Sequence, residues 1–178
     1  MTLNLEGLVR KKVVSNSGPL IHLAKINYLW LLRKLFTRII VPKEVKIETV
    51  DKGLKIGAPD AIIIQDAIDE GWIEVIDFEL PSKFLIFAEK FKIQVAELKV
   101  ILYAKNNNII ALLDDSSARA LACSLSVDFM GSLGIIVLAT KYKIISKSDA
   151  LDALDKITKV MYLSMLVYMK VRDEILRL

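Results

Sequence analysis

Five short, mostly apolar runs, each followed by a stretch with helical spacing, limit what this chain can fold into more than any other feature. They are KKVVS at 11–15, RIIV at 38–41, WIEVI at 72–76, IIALL at 109–113 and VDFM at 127–130. Short runs of this kind, apolar with little alternation, read as strands buried on both faces. Strands separated by helices predict an α/β fold with a parallel sheet and helices over both of its sides. Between the strands, GPLIHLAKI carries Leu20, Leu23 and Ile26 at helical spacing, and YLWLLRKLF continues as a second helix. Pro42 opens a helix to about Lys52, Gly53 and Gly57 mark a loop, and a further helix runs from Pro59 or Asp60 to Gly71. Helices are also predicted over 84–91, 94–106, SARALACSL and IIVLATKYK, with two more inside 148–176, and GSLG at 131–134 reads as a turn.

No linker or internal repeat divides the 178 residues, which suit a single domain with a 160–178 helical extension. The chain is 54% hydrophobic, with a mean hydropathy of +0.45. A membrane span is therefore the first thing to exclude. The longest apolar stretches, at 135–140 and 160–169, fall short of the roughly 20 residues that a bilayer requires. The opening MTLNLEGLVRKK has no apolar segment behind a basic start, so the expectation is a cytoplasmic protein without a secretory signal. Cys123 is the only cysteine and His22 the only histidine, which excludes an intrachain disulfide and a thiolate zinc cluster. The excess of 25 Lys and Arg over 21 Asp and Glu is compatible with a polyanionic partner without requiring one.

Ligands of open parallel sheets sit beyond the carboxyl ends of the strands. The first strand delivers Ser15, Asn16 and Ser17 there, the fourth Asp114 and Asp115, and the fifth Gly131 and Ser132. Glu97 lies on a helix that is apolar nearly all round and shares a face with Ile101 and Ala104, so its carboxylate is directed toward the sheet. A buried carboxylate needs a partner or a metal. The alternative for Glu97 is that it complements the positive end of the helix dipole. Glu48 has Lys52 four residues later, so a solvated helical pair accounts for it. Asp115, beside Ser116, stands where a helix N-cap belongs, whereas Asp114 has no such role and is the stronger functional candidate. Gly131 and Ser132 form either a tight turn or a phosphate contact made with helix N-terminal amides. His22 has no Ser or Cys partner at a recognisable spacing, so it reads as a packed or half-exposed side chain. An oxygen-only acidic cluster remains, the type that holds Mg²⁺ or Mn²⁺.

VVSNSGPLIHLAKI, IIVPKEVKIE, VAELKVILYAKNNNIIALLDDSSARALA and FMGSLGIIVLATKYKII resemble, in this order, the motifs of the PIN domain superfamily. The resemblance is closest to its archaeal and bacterial branch related to the toxin nucleases of toxin and antitoxin pairs, and it covers about residues 11–160. It implies a three-layer α/β/α sandwich and cleavage of RNA phosphodiesters that depends on Mg²⁺ or Mn²⁺. Glu48, Glu97 and Asp114 then fall in the catalytic acidic cluster. The metal ligands would be Asn16, Glu97, Asp114 and Asp115, and the substrate contacts Ser17, Gly131 and Ser132. Asn16 stands where the family has its first Asp, and Ala96 where it has a Gly. The first departure removes a full charge but keeps one neutral oxygen donor.

Two functions therefore compete: a toxin-like ribonuclease, or a PIN fold that has lost catalysis and binds RNA or a protein. An unrelated α/β protein with caps and surface pairs is the third alternative. The apolar residues Met161, Leu163, Met165, Leu166, Tyr168 and Met169 spread almost around the last helix. Core burial is the simpler explanation for them, and a homodimer interface or an antitoxin groove is the other.

Overall fold

The computed structural model describes residues 11–178 apart from Lys92, and the opening segment read above for a signal lies largely outside them. Five parallel strands form one sheet in the order β3-β2-β1-β4-β5, comprising β1 (Lys12–Ser15), β2 (Arg38–Pro42), β3 (Ile73–Ile76), β4 (Ile110–Leu112) and β5 (Phe129–Met130). Val13 pairs with Ile39 on one side and Ile110 on the other, so β1 is central. Val13, Val14, Ile39, Ala111 and Leu112 are fully buried, which is why these strands carry no polar alternation.

Helices cover both faces. On one, α7 (Val95–Asn107) crosses β1, β2 and β4, with α6 (Ser82–Phe91) and α8 (Ser116–Ser124) beside it. On the other, α1 (Ser17–Lys25) packs on α5 (Pro59–Asp69) and α9 (Ser132–Lys141), and α9 receives α2 (Trp30–Leu35), α10 (Lys147–Ile157) and α11 (Met165–Arg177). The Asn run ends α7 through Asn108, whose φ of 51° gives the left-handed closure that helices commonly use.

Three local expectations are corrected. Gly53 lies in a helix, since α3 (Lys43–Lys46), a π turn (Ile47–Asp51) and α4 (Lys52–Lys55) follow one another without a break. Glycine is needed there for close approach rather than for a loop, because a Cβ on Gly53 would lie 2.6 Å from Ala61 Cβ on α5. GSLG is not a free turn: Gly131 is the N-cap and Ser132 the first residue of α9. On α11, Ile175 is fully buried, but Met165, Leu166 and Met169 are 72%, 66% and 51% exposed, so core burial explains only part of that helix. Among the described residues no helix is long and apolar enough to cross a membrane.

Candidate active site

The carboxyl ends of β1 and β4 lie side by side, with Ser15 registered against Leu112. The chain beyond them brings Asn16, Ser17, Asp114 and Asp115 to one edge of the sheet. Asp114 is nearly buried, and every hydrogen bond that it makes comes from a neighbouring element. Its Oδ1 accepts from the Ser132 amide at 2.8 Å and from Arg119 Nη2 at 3.4 Å. Its Oδ2 accepts from Ser132 Oγ at 2.6 Å and lies 2.7 Å from His22 Nδ1. A carboxylate can only accept, so His22 carries a proton on Nδ1. Burial pushes the Asp114 carboxyl up, but the bonds from His22 and Ser132 outweigh it and hold the carboxyl below its ordinary range. The Arg119 guanidinium also donates from Nε to the Leu113 carbonyl at 2.9 Å. It crosses Gly131 so closely that no Cβ fits there.

Asp115 caps α8 as its position predicts. Oδ1 accepts from the amides of Ser117 and Ala118 at 2.8 and 2.9 Å and from the Ser117 hydroxyl. These bonds hold its carboxyl low, and Oδ2 makes no hydrogen bond to a described residue. Glu97, in the first turn of α7, is half-buried. Burial lifts its carboxyl above the ordinary range, and the charges of Asp115 and Glu48 push in the same direction. The Glu48–Lys52 pair does not form. The π turn takes Glu48 out of ordinary register, and its Oε2 accepts instead from Ser17 Oγ at 2.5 Å. The same widening pairs Lys46 with Asp51, five residues on. Asn16 is the N-cap of α1, but its side chain makes no capping bond and no other hydrogen bond to a described residue.

The structure thus sorts the candidates into two groups. Asp114 and Ser132 belong to a hydrogen-bonded network with His22 and Arg119, and Gly131 packs directly against the Arg119 guanidinium. Glu97 shares its electrostatic surroundings with Asp115 and Glu48, and Glu48 is tied to Ser17. Sequence reasoning read His22 as a packed or half-exposed side chain, which it is, but did not foresee its bond to Asp114, and it did not single out Arg119. The one available signal was that Arg119 lies one turn after Asp115 on a helix entered directly from the acidic pair.

Among the described residues no three His, Cys, Asp or Glu side chains stand close enough together to hold a metal ion. The donor chemistry fits a hard divalent cation on the Glu97 side of the site, where the groups are all oxygen donors. The Asn16 side chain and Asp115 Oδ2 have no competing hydrogen bond to a described residue, and Glu97 sits in a repulsion that a cation would relieve. Asp114 fits less well, because four donors already occupy its two oxygens.

No curated protein matches the chain. A family model described as a PIN domain does, over residues 12–176, which takes in every strand of the sheet and each acidic residue above. With the five-stranded parallel order and acidic residues at the strand ends, the match places this chain in the PIN domain family.

Proposed function

We propose that this PIN domain is a metal-dependent ribonuclease of the toxin-like kind. The observation that carries the proposal is geometric: the ends of β1 and β4 bring Asn16, Asp114 and Asp115 to one sheet edge, and the half-buried Glu97 shares their surroundings, its carboxyl lifted by burial and by the charges of Asp115 and Glu48. Mutual repulsion of this kind costs stability unless something positive binds. In this reading Glu97 and Asp115 Oδ2 hold Mg²⁺ or Mn²⁺, with Asn16 as a neutral donor and Glu48, oriented by Ser17, at the periphery. Such an ion supplies an activated water and neutralises charge on the leaving oxygen. Asp114 acts as a positioning residue, tying α1, α8 and α9 together behind the ligands. Ser132 is fully buried with its amide and hydroxyl both committed to Asp114, so the cations at the sheet edge, and not Ser132, orient the RNA phosphate. The exposed face of Met165, Leu166 and Met169 suits a protein partner, either an antitoxin or a second copy of the chain.

The test is cleavage of single-stranded RNA with and without Mn²⁺, beside Glu97→Gln. Metal-dependent cleavage that Glu97→Gln abolishes supports the proposal, and cleavage indifferent to either overturns it. One observation favours a second reading: Asn16 brings no charge to the site's centre and Asp114 is saturated, as in a PIN fold that binds RNA or protein without cutting. That reading holds if the wild type binds RNA without cleaving it while Asn16→Asp cleaves.

A further inference from the structure

At the opposite end of the sheet, beside the amino ends of β2 and β3, the chain leaves a hollow that the acidic site does not use. It has a volume of about 330 Å³, and its lining includes Trp30, Trp72, Arg33, Asp66 and Glu70. Trp30 is 41% exposed, a large apolar surface to leave in water. Its orientation is nevertheless fixed. The Tyr28 ring stacks on it with centroids 6.3 Å apart at 24°, and the Tyr28 hydroxyl is anchored to the Asp149 carbonyl at 3.2 Å and to Asp152 at 3.3 Å. The indole is therefore presented to the hollow in a set position. The charges are asymmetric too: Arg33 is neutralised by Glu70 at 2.5 Å, whereas the Asp66 carboxylate has no ion pair or hydrogen bond to a described residue, the Glu70 amide being bonded to the Asp66 backbone carbonyl instead.

We propose that this hollow binds a basic side chain, the guanidinium or ammonium group of a partner protein's Arg- or Lys-rich segment. Aromatic faces attract cations through their quadrupole, and a carboxylate without a partner adds the complementary charge. A phosphate or carboxylate ligand would meet Asp66 and Glu70 with only Arg33 in compensation, and Arg33 is already paired. The proposal is independent of the ribonuclease reading, since no residue of the acidic site lines the hollow.

The two tryptophans of the chain both line this hollow, and Trp72 borders it without bordering the neighbouring hollow that Trp30 shares with Tyr28 and Lys156, so selectively excited tryptophan emission reports on it. The experiment titrates the full chain with a capped Arg-Gly-Arg-Gly peptide, using a capped Glu-Gly-Glu-Gly peptide and a short single-stranded RNA as comparison probes. The basic peptide should give a saturable emission change that weakens with salt. Trp30→Leu, read through Trp72, should weaken binding by roughly tenfold. Asp66→Asn, an exposed change that leaves the core intact, should weaken it by roughly two- to fivefold. No saturable change at millimolar basic peptide overturns the proposal. So does an equal response to the acidic peptide or to RNA, or unchanged affinity in both variants when circular dichroism shows them folded.

Discussion

His22 Nδ1 stands 2.7 Å from Asp114 Oδ2, joining the first helix to the end of the fourth strand across 92 residues of sequence. With Ser132 and Arg119 it makes Asp114 a buried junction of three helices. Because the folded carboxyl lies below its ordinary range, this junction contributes stability that is complete above about pH 4 and is lost as pH falls through the folded value. The urea midpoint of the wild type should therefore drop on acidification below about pH 4. Asp114→Asn should flatten that drop and cost about 3 kcal/mol at neutral pH, where a buried charge network is broken. An unchanged acid limb in the variant would show that the stabilising carboxylate lies elsewhere.

Gly131 is a second point of tension in the same network. A Cβ there would meet Arg119 Nη2, with Asp114 Oδ1 at 2.8 Å and the Leu113 carbonyl at 3.1 Å. Arg119 can swing away, but the strand end cannot. Gly131→Ala should thus destabilise by about 1–3 kcal/mol, measurable by thermal denaturation. Arg119→Ala/Gly131→Ala should recover part of that loss, because the guanidinium is the closest obstacle.

The fold was legible in the sequence because burial on both faces leaves a mark that needs no partner to read: each of the five apolar runs holds all or nearly all of a strand, β2 alone running one residue further to Pro42, and Asn108 ends α7 where the Asn run stands. The site was less so. The acidic residues could be found because strand ends are where a parallel sheet collects them. Which oxygens stay free could not, since that depends on contacts such as His22 to Asp114 that link distant segments. Glu48 shows the same limit in one element: its spacing to Lys52 promised a helical pair, and a single π turn redirected it to Ser17.

Lys99 and Glu44 hold α7 against α3 through a 2.8 Å ion pair in which Lys99 is buried and Glu44 is 34% exposed. The second Glu44 oxygen is buried without a hydrogen bond. Removing one partner strands the other, so Lys99→Met should cost about 2 kcal/mol, discounted for the water that reaches Glu44. Lys99→Met/Glu44→Leu should regain most of the loss, as a double-mutant cycle in urea would measure. Additive losses would mean that the pair is incidental to how α7 is seated.

Under the proposed function, Glu97 and Asn16 set stability against metal binding in opposite directions. The raised Glu97 carboxyl means that the folded protein resists its ionisation, so this group lowers stability as pH rises above its ordinary value. In metal-free buffer at pH 7, Glu97→Gln should therefore raise the melting temperature, and under the proposed function it lowers Mn²⁺-dependent cleavage by about 100-fold or more. Asn16→Asp should do the reverse. It adds a carboxylate at the end of β1, destabilises the metal-free protein, and tightens Mn²⁺ binding by roughly tenfold or more, because one further charge near a divalent cation is worth at least about 1.4 kcal/mol at an effective dielectric near 20. Electron paramagnetic resonance titration of Mn²⁺ reads the binding directly and thermal melts read the stability. If the two substitutions shift both quantities in the same direction, the acidic edge is not organised around a cation.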